Sequence, residues 1–203
     1  MIRLFQLFVG GLSWPFVFGL YRLRVRGLEK VPKEGGLVIG TNHDSNFDPW
    51  AVCLPLWPRR RFRFMGKAEL FNPLLTPIIR AGGAFPVRRG EGDQQAIETA
   101  IRVVREGDVL AMFPEGTRRK KGLRKKFQPR PHTGTARIAL GADVPLVPAA
   151  ISGTERLLRL APVRVAYGAP IPLDDLRGLP EKEAAHLATA RLMAEIEKLR
   201  ATL

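Results

Sequence analysis

From residue 22 onward the chain alternates short apolar, β-branched runs with stretches of helical spacing, and that alternation confines it to few architectures. Residues 36–40 are a glycine-bounded apolar run, residues 61–65 (Arg-Phe-Arg-Phe-Met) alternate at period two, and residues 22–26, 84–87, 109–113, 144–151 and 163–167 read as further strands. Helix signals lie between them. Asp48 and Pro49 read as cap and first-turn proline of a short apolar helix, and Asn72-Pro73 opens another that stops at Gly82-Gly83. Asp93 caps a helix with Ala96, Ile97, Ala100, Ile101 and Val104 on one face until Gly107, and residues 133–140 form the next. From Glu181 a tail helix carries Ala185, Ala188, Leu192, Ile196, Leu199 and Leu203 at three- and four-residue spacing. This pattern predicts a single α/β domain with a mostly parallel or mixed central sheet flanked by helices and functional loops at the strand ends. With 203 residues and 45% hydrophobic content, the chain is long enough for one substantial core.

Ahead of that domain, expected over residues 22–203, residues 1–21 are mostly apolar and aromatic but are interrupted by Gln6, Gly10, Gly11, Ser13 and Pro15. A spanning helix needs about 20 predominantly apolar residues, so this stretch is borderline in length and poor in helix quality. Arg3 on one side and Arg22, Arg24 and Arg26 on the other are placed to reach lipid headgroups, and there is no small-residue cleavage site. The expectation is a hairpin-like or interfacial membrane-anchoring segment; a docked core helix is the alternative.

A formal net charge of +14 implies an anionic partner: nucleic acid, anionic lipid, or a phosphorylated or CoA-like substrate. The basic residues cluster at Arg59-Arg60-Arg61 with Arg63, at Arg88-Arg89, and from Arg118 to Lys126, where the alternative reading is a merely solvated face. Nucleic-acid readers interleave aromatics with basic residues, and only Phe127 abuts the last cluster, so no nucleic-acid partner is expected. One cysteine, Cys53, excludes an internal disulfide and fits a reducing compartment. His43, His132 and His186 have no ligand spacing, so no metal is expected.

The stretch with chemical content is Asn42-His43-Asp44-Ser45-Asn46-Phe47-Asp48-Pro49, where a strand gives way to a helix and a histidine precedes a carboxylate by five residues. An imidazole oriented by a carboxylate can take a proton from a hydroxyl as that hydroxyl attacks an acyl carbonyl. The chain has no G-x-S-x-G nucleophile elbow, so the hydroxyl has to come from elsewhere, and a lipid acceptor supplies one. Cys53 is the other conceivable nucleophile, but its apolar helix position reads as a buried, inert thiol. Alternatively, Asp48 only caps its helix and His43 is a surface residue.

Five motifs then follow in order: Asn42-His43 with Asp48, Lys67-Ala68-Glu69-Leu70, residues 83–90 (Gly-Ala-Phe-Pro-Val-Arg-Arg-Gly), Phe113-Pro114-Glu115-Gly116-Thr117-Arg118, and Val144-Pro145-Leu146-Val147-Pro148. Over residues 27–151 the chain resembles the 1-acyl-sn-glycerol-3-phosphate acyltransferase family, also called lysophosphatidic acid acyltransferases. The resemblance implies that His43 is the catalytic base with Asp48 as its partner, that Arg89 and Arg118 contact substrate phosphate, and that Glu115 and Gly116 shape the acceptor site. Lys67, Arg88 and Thr117 join them as implied substrate-binding residues. The family usually carries an acid before its second-motif arginine, whereas Arg88 and Arg89 are both basic here, and the basic insertion between Arg119 and His132 is another departure. The implied donor is acyl-CoA or acyl-carrier protein, with no cofactor; the implied acceptor is lysophosphatidate, and the implied place is the inner face of the cytoplasmic membrane, as a monotopic or peripheral protein. An acyltransferase for another lysolipid, and a basic nucleic-acid or anionic-lipid binding module without catalysis, are the competing readings.

Overall fold

The computed structural model describes residues 2–88, 94–116 and 131–203. Its centre is a seven-stranded sheet: β1 (Arg24–Arg26), β2 (Leu37–Thr41), β3 (Phe62–Lys67), β4 (Ala84–Val87), β5 (Val109–Met112), β6 (Leu146–Ser152) and β7 (Arg164–Tyr167), in the order β1-β7-β6-β2-β5-β3-β4. β2 through β6 are mutually parallel, while β7 pairs antiparallel with β6 and carries β1 in parallel beside it. The sheet is therefore mixed, and the carboxyl ends of its five parallel strands share one edge.

β2 lies near the middle and is buried along its whole length, as expected of a strand covered on both faces. Its side chains alternate between two apolar layers. Leu37 and Ile39 join α2 (Asp48–Cys53), Val17 and Tyr167 on one face. Val38 joins α4 (Gln94–Arg105), α5 (Gly134–Ala142) and α6 (Glu181–Ala201) on the other. Gly36 just before the strand and Gly40 within it mark close approach: a Cβ on Gly40 would stand 2.6 Å from Leu192 Cδ2 of α6, and one on Gly36 1.6 Å from the Val104 carbonyl oxygen. The alanine and leucine stripe of α6 is core packing, as its spacing predicts.

The arginines that open β3 are structural. Arg61 Nε lies 2.6 Å from Asp108 Oδ1, and Arg63 Nη1 lies 3.5 Å from Asp108 Oδ2. Arg60 donates to the carbonyls of Pro32 and Gly35. Burial pushes the Asp108 carboxyl up, and the two guanidiniums beside it pull the other way. This cluster braces the amino end of the sheet, away from the edge where the parallel strands end.

The amino-terminal segment corrects the hairpin expectation. α1 (Ile2–Pro15) runs on into a π-helical turn (Phe16–Leu20), one helix long and apolar enough to cross a membrane. Pro15 removes an amide donor and its ring crowds the preceding turn, and the wider π register follows directly after it. The helix is inverted in character. Its inner face is small or polar at Gln6, Gly10 and Ser13, with Val17 entering the apolar core. Its outer face carries Leu4, Phe8, Leu12, Phe16 and Leu20, all exposed. Gln6 is buried and grips the domain. Its Nε2 donates to the Phe62 carbonyl (2.7 Å) and the Gly82 carbonyl (2.9 Å), and its Oε1 accepts from the Phe62 amide (3.0 Å). Ser13 Oγ accepts from Trp50 Nε1 at 3.0 Å, and the Trp57 ring lies against Gly10 where any Cβ would collide.

Candidate active site

At the carboxyl end of β2 the chain breaks from the sheet at Asn42, whose buried side chain replaces strand pairing with a two-way bridge to β6. Nδ2 donates to the Ile151 carbonyl and Oδ1 accepts from the Ile151 amide, both at 2.9 Å. Nδ2 also donates to Asp44 Oδ2 at 2.7 Å, which holds the following loop. His43 is thereby presented at the sheet edge with its side chain 12% exposed.

Asp48 does not cap α2, contrary to the sequence expectation. It is the first residue of that helix, Phe47 occupies the cap position, and no side-chain cap bond forms. Its fully buried carboxylate points back into the loop. Oδ2 accepts from His43 Nδ1 (2.9 Å) and from the backbone amides of Asp44 (2.6 Å) and Ser45 (2.7 Å); Oδ1 accepts from Thr154 Oγ1 (2.5 Å). A carboxylate accepts and does not donate, so Nδ1 of His43 meets it as N–H and Nε2 is left as the acceptor nitrogen of the ring. Pro49, which has no amide hydrogen, costs α2 nothing at its first turn.

β5 lies next to β2, and the turn after it brings the Phe113-Pro114-Glu115-Gly116 stretch against the histidine loop. The Phe113 ring stacks on the His43 imidazole with centroids 4.0 Å apart. Gly116 closes the turn by donating its amide to the Phe113 carbonyl at 2.9 Å, with φ of +68° that favours glycine. Glu115 is buried in this turn. The His132 amide donates to the Pro114 carbonyl at 2.8 Å and its ring packs over Gly116, tying the approach to α5 to the same turn.

Lys67 and Arg88 stand on the same edge, exposed, at the ends of β3 and β4. In the strand order β3 is two places from β2 and β4 is three. At about 4.8 Å per strand, Lys67 leaves the sheet roughly 10 Å from the His43 strand and Arg88 roughly 14 Å. A recess of about 290 Å³ beside them is lined by Ala68, Phe85, Val87 and Arg88 of the sheet end and Ala96 and Thr99 of α4. The structure thus groups His43, Asp48, Glu115 and Gly116 closely and sets Lys67 and Arg88 further along. Arg89, Thr117 and Arg118, like Asp93 and the basic stretch to residue 130, lie outside the described residues.

Cys53 is fully buried on the inward face of α2, and burial pushes its thiol far above the ordinary range, as fits an inert core position. Among the described residues, no serine or cysteine hydrogen-bonds to His43. Asn42, Phe113, His132 and Thr154 escaped sequence reasoning as site-building residues. Asn42 and Phe113 sit inside the motifs and could have been singled out; Thr154 reaches Asp48 across 106 residues with no local signal.

A family model described as acyltransferase matches residues 22–152. The 1-acyl-sn-glycerol-3-phosphate acyltransferase of Bacillus subtilis (strain 168) is 29% identical over 181 residues, spanning 87% of this chain and 87% of that protein. The enzyme of that name from Streptococcus pneumoniae is 29% identical over 177 residues, 84% of this chain and 63% of the relative. In fold, the chain is similar to the crystal structure of the 1-acyl-sn-glycerophosphate acyltransferase PlsC from Thermotoga maritima, with a TM-score of 0.64 and 24% identity over 98% of this chain and 78% of that one. Because the matched span takes in β1 through β6, the histidine loop and the Phe113 turn, this chain belongs to the acyltransferase family, as an O-acyltransferase.

Proposed function

We propose that the protein moves a fatty acyl group from a thioester donor, acyl-CoA or acyl-carrier protein, to the free hydroxyl of 1-acylglycerol 3-phosphate, giving phosphatidic acid. The observation that carries this reading is the His43–Asp48 pair, at 2.9 Å, with its carboxylate saturated by donors and its Nε2 left basic at the sheet edge. The relatives named for that reaction over most of both chains support the choice of acceptor.

His43 Nε2 takes the hydroxyl proton as the acceptor oxygen bonds to the thioester carbonyl carbon. Asp48 holds the tautomer and faces the imidazolium as it forms. When the tetrahedral intermediate collapses, the C–S bond breaks and the proton passes from the imidazolium to the departing thiolate. Base catalysis of this kind is worth about 10² to 10⁴ in rate. The thiol leaving group ionises near pKa ~8.5, so it needs little acid help. The balance requires no metal or cofactor besides the thioester. Glu115 and Gly116 shape the acceptor side, and Lys67, Arg88, Arg89, Thr117 and Arg118 receive the anionic groups of acceptor and donor, for which guanidinium forks are well matched.

The acceptor is a lipid, and the outward Leu4, Phe8, Leu12, Phe16 and Leu20 face of the amino-terminal helix supports a monotopic placement in one leaflet. A surface helix of a water-soluble domain turns such residues inward. The Gln6 bonds hold this helix across the domain, which favours lying in the interface over spanning. The net charge of +14, with no acidic residue before Glu29, suits the anionic inner face of the cytoplasmic membrane.

The test is acyl transfer by the pure protein from acyl-CoA and from acyl-carrier protein to a panel of lysophospholipids, with products weighed. Phosphatidic acid is the expected main product, and His43→Ala and Asp48→Asn should each lower kcat by about a hundredfold or more while remaining folded. Wild-type rates in either variant would sink the mechanism, and preference for another lysolipid would move the acceptor but not the chemistry.

A further inference from the structure

The segment that leaves β3 exposes more large aliphatic surface than a solvated loop should. Within it Leu74 is 82% exposed and Ile78 60%, with Leu70 and Leu75 exposed beside them. The segment is built rather than slack. Asn72 Oδ1 accepts from the amides of Leu74 (3.1 Å) and Leu75 (2.9 Å), and Thr76 Oγ1 donates to the Asn72 carbonyl (2.6 Å), so its polar side chains are spent on shape while its leucines face out. α3 (Thr76–Ala81) follows at once and packs against α1. The bond from Gln6 to the Gly82 carbonyl joins the two at the end of α3.

The outward stripe of α1 and this aliphatic segment are therefore parts of one rigid body. Charge along these stretches is almost all positive: residues 1–28 and 49–88 contain a single acid, Glu69 at the start of the segment, while Lys67 and Arg80 flank it. An anionic bilayer fits two neighbouring apolar, acid-poor surfaces of this kind.

We propose that residues 70–78 are a second lipid-inserting element that enters the same leaflet as α1. The proposal rests on the monotopic placement argued above and deepens it. A single interfacial helix leaves the domain free to roll about the helix axis. A second point of insertion removes that freedom, and because this one begins where β3 ends, it turns the sheet edge carrying His43 toward the lipid.

The experiment uses the full chain with an environment-sensitive fluorophore on one introduced cysteine at a time: Phe8→Cys, Leu74→Cys, or Leu187→Cys on the exposed side of α6. Cys53 is fully buried and does not compete for label. On adding vesicles of phosphatidylcholine and phosphatidylglycerol, the probes at positions 8 and 74 should shift to the blue and be quenched by spin-labelled acyl chains, and the probe at 187 should not. A water-like probe at 74 with an inserted probe at 8 overturns the second element and leaves the α1 anchor standing. Water-like probes at both positions overturn the anchor reading as well, and insertion at all three overturns the orientation. As a second readout, Leu74→Ser with Ile78→Ser should lower turnover of vesicle-borne acceptor severalfold and spare detergent-dispersed acceptor; equal loss in both would make the segment a brace of the site instead.

Discussion

Asp48 is held from both sides, and this governs what neighbouring residues contribute. Three N–H donors crowd Oδ2, whereas Oδ1 has a single described donor, the buried hydroxyl of Thr154. Removing that hydroxyl leaves a charged oxygen buried without it, a loss of about 1.5 to 3 kcal/mol. Thr154→Val should therefore lower the urea midpoint and kcat with KM little changed, and Thr154→Ser should restore both; a Val variant with wild-type kcat would show that the loop amides alone orient the carboxylate. Cys53 gives a residue-level test of a different kind. Burial pushes its thiol up, so the folded chain keeps the proton that an unfolded thiol gives up near pKa ~8.5. Above that pH the unfolded state binds fewer protons, and stability falls by about 1.4 kcal/mol per pH unit for this one group. Unfolding midpoints should drop between about pH 8 and about pH 10 and drop less in Cys53→Ala. Equal slopes would put the loss elsewhere, and the buried Tyr167 hydroxyl, also pushed up, would contribute only at still higher pH.

Among the elements, what period and punctuation can encode was legible. β2, β3, β4 and β5 lie where apolar runs and alternation place them, and α4 ends by Gly107 because that glycine takes φ of +92°. Pairing was not legible. Nothing in residues 163–167 tells that β7 turns against β6 while β1 joins it, since either direction buries the same side chains. The His43 loop was readable as a strand-to-helix junction, but Asp48 was misread as a cap because capping and buried ligation demand the same residue type beside the same proline. Gln6 was misread likewise. In sequence it interrupts an apolar helix; in the fold it is the one buried polar side chain of that helix, bonded to Phe62 and Gly82. Gln6→Met keeps length and apolarity but strips its partners, each orphaned buried group costing about 1 to 3 kcal/mol. The variant should unfold at lower urea and lose its amino-terminal helix to protease sooner than wild type. An unchanged cleavage rate would mean that Trp57 against Gly10 and Trp50 bonded to Ser13 suffice to hold α1.

For the molecule as a whole, charge and apolar surface act together but respond differently to salt. The +14 charge attracts the chain to an anionic leaflet, at about 1 kcal/mol for each basic residue close to the headgroups. Salt removes most of this, because the screening length shrinks from about 8 Å at physiological ionic strength to about 3 Å at 1 M. The outward side chains of α1 contribute about 1.5 to 3 kcal/mol each when buried in lipid, and screening does not touch that contribution. Wild-type protein bound to anionic vesicles should thus be released only in part by about 1 M salt. Phe8→Ser with Leu12→Ser changes two residues exposed at 71% and 61%, so the fold is spared while two of the stripe's five anchors are lost. That variant should bind at low salt, be released by high salt more completely than wild type, and turn over vesicle-borne acceptor more slowly than wild type while matching it on detergent-dispersed acceptor. Deleting the helix would be a poorer probe, since it would also strip Phe62, Gly82 and Trp57 of their partners. Salt-resistant binding by the double variant equal to that of wild type would move the anchor away from α1 and leave another apolar surface to account for it.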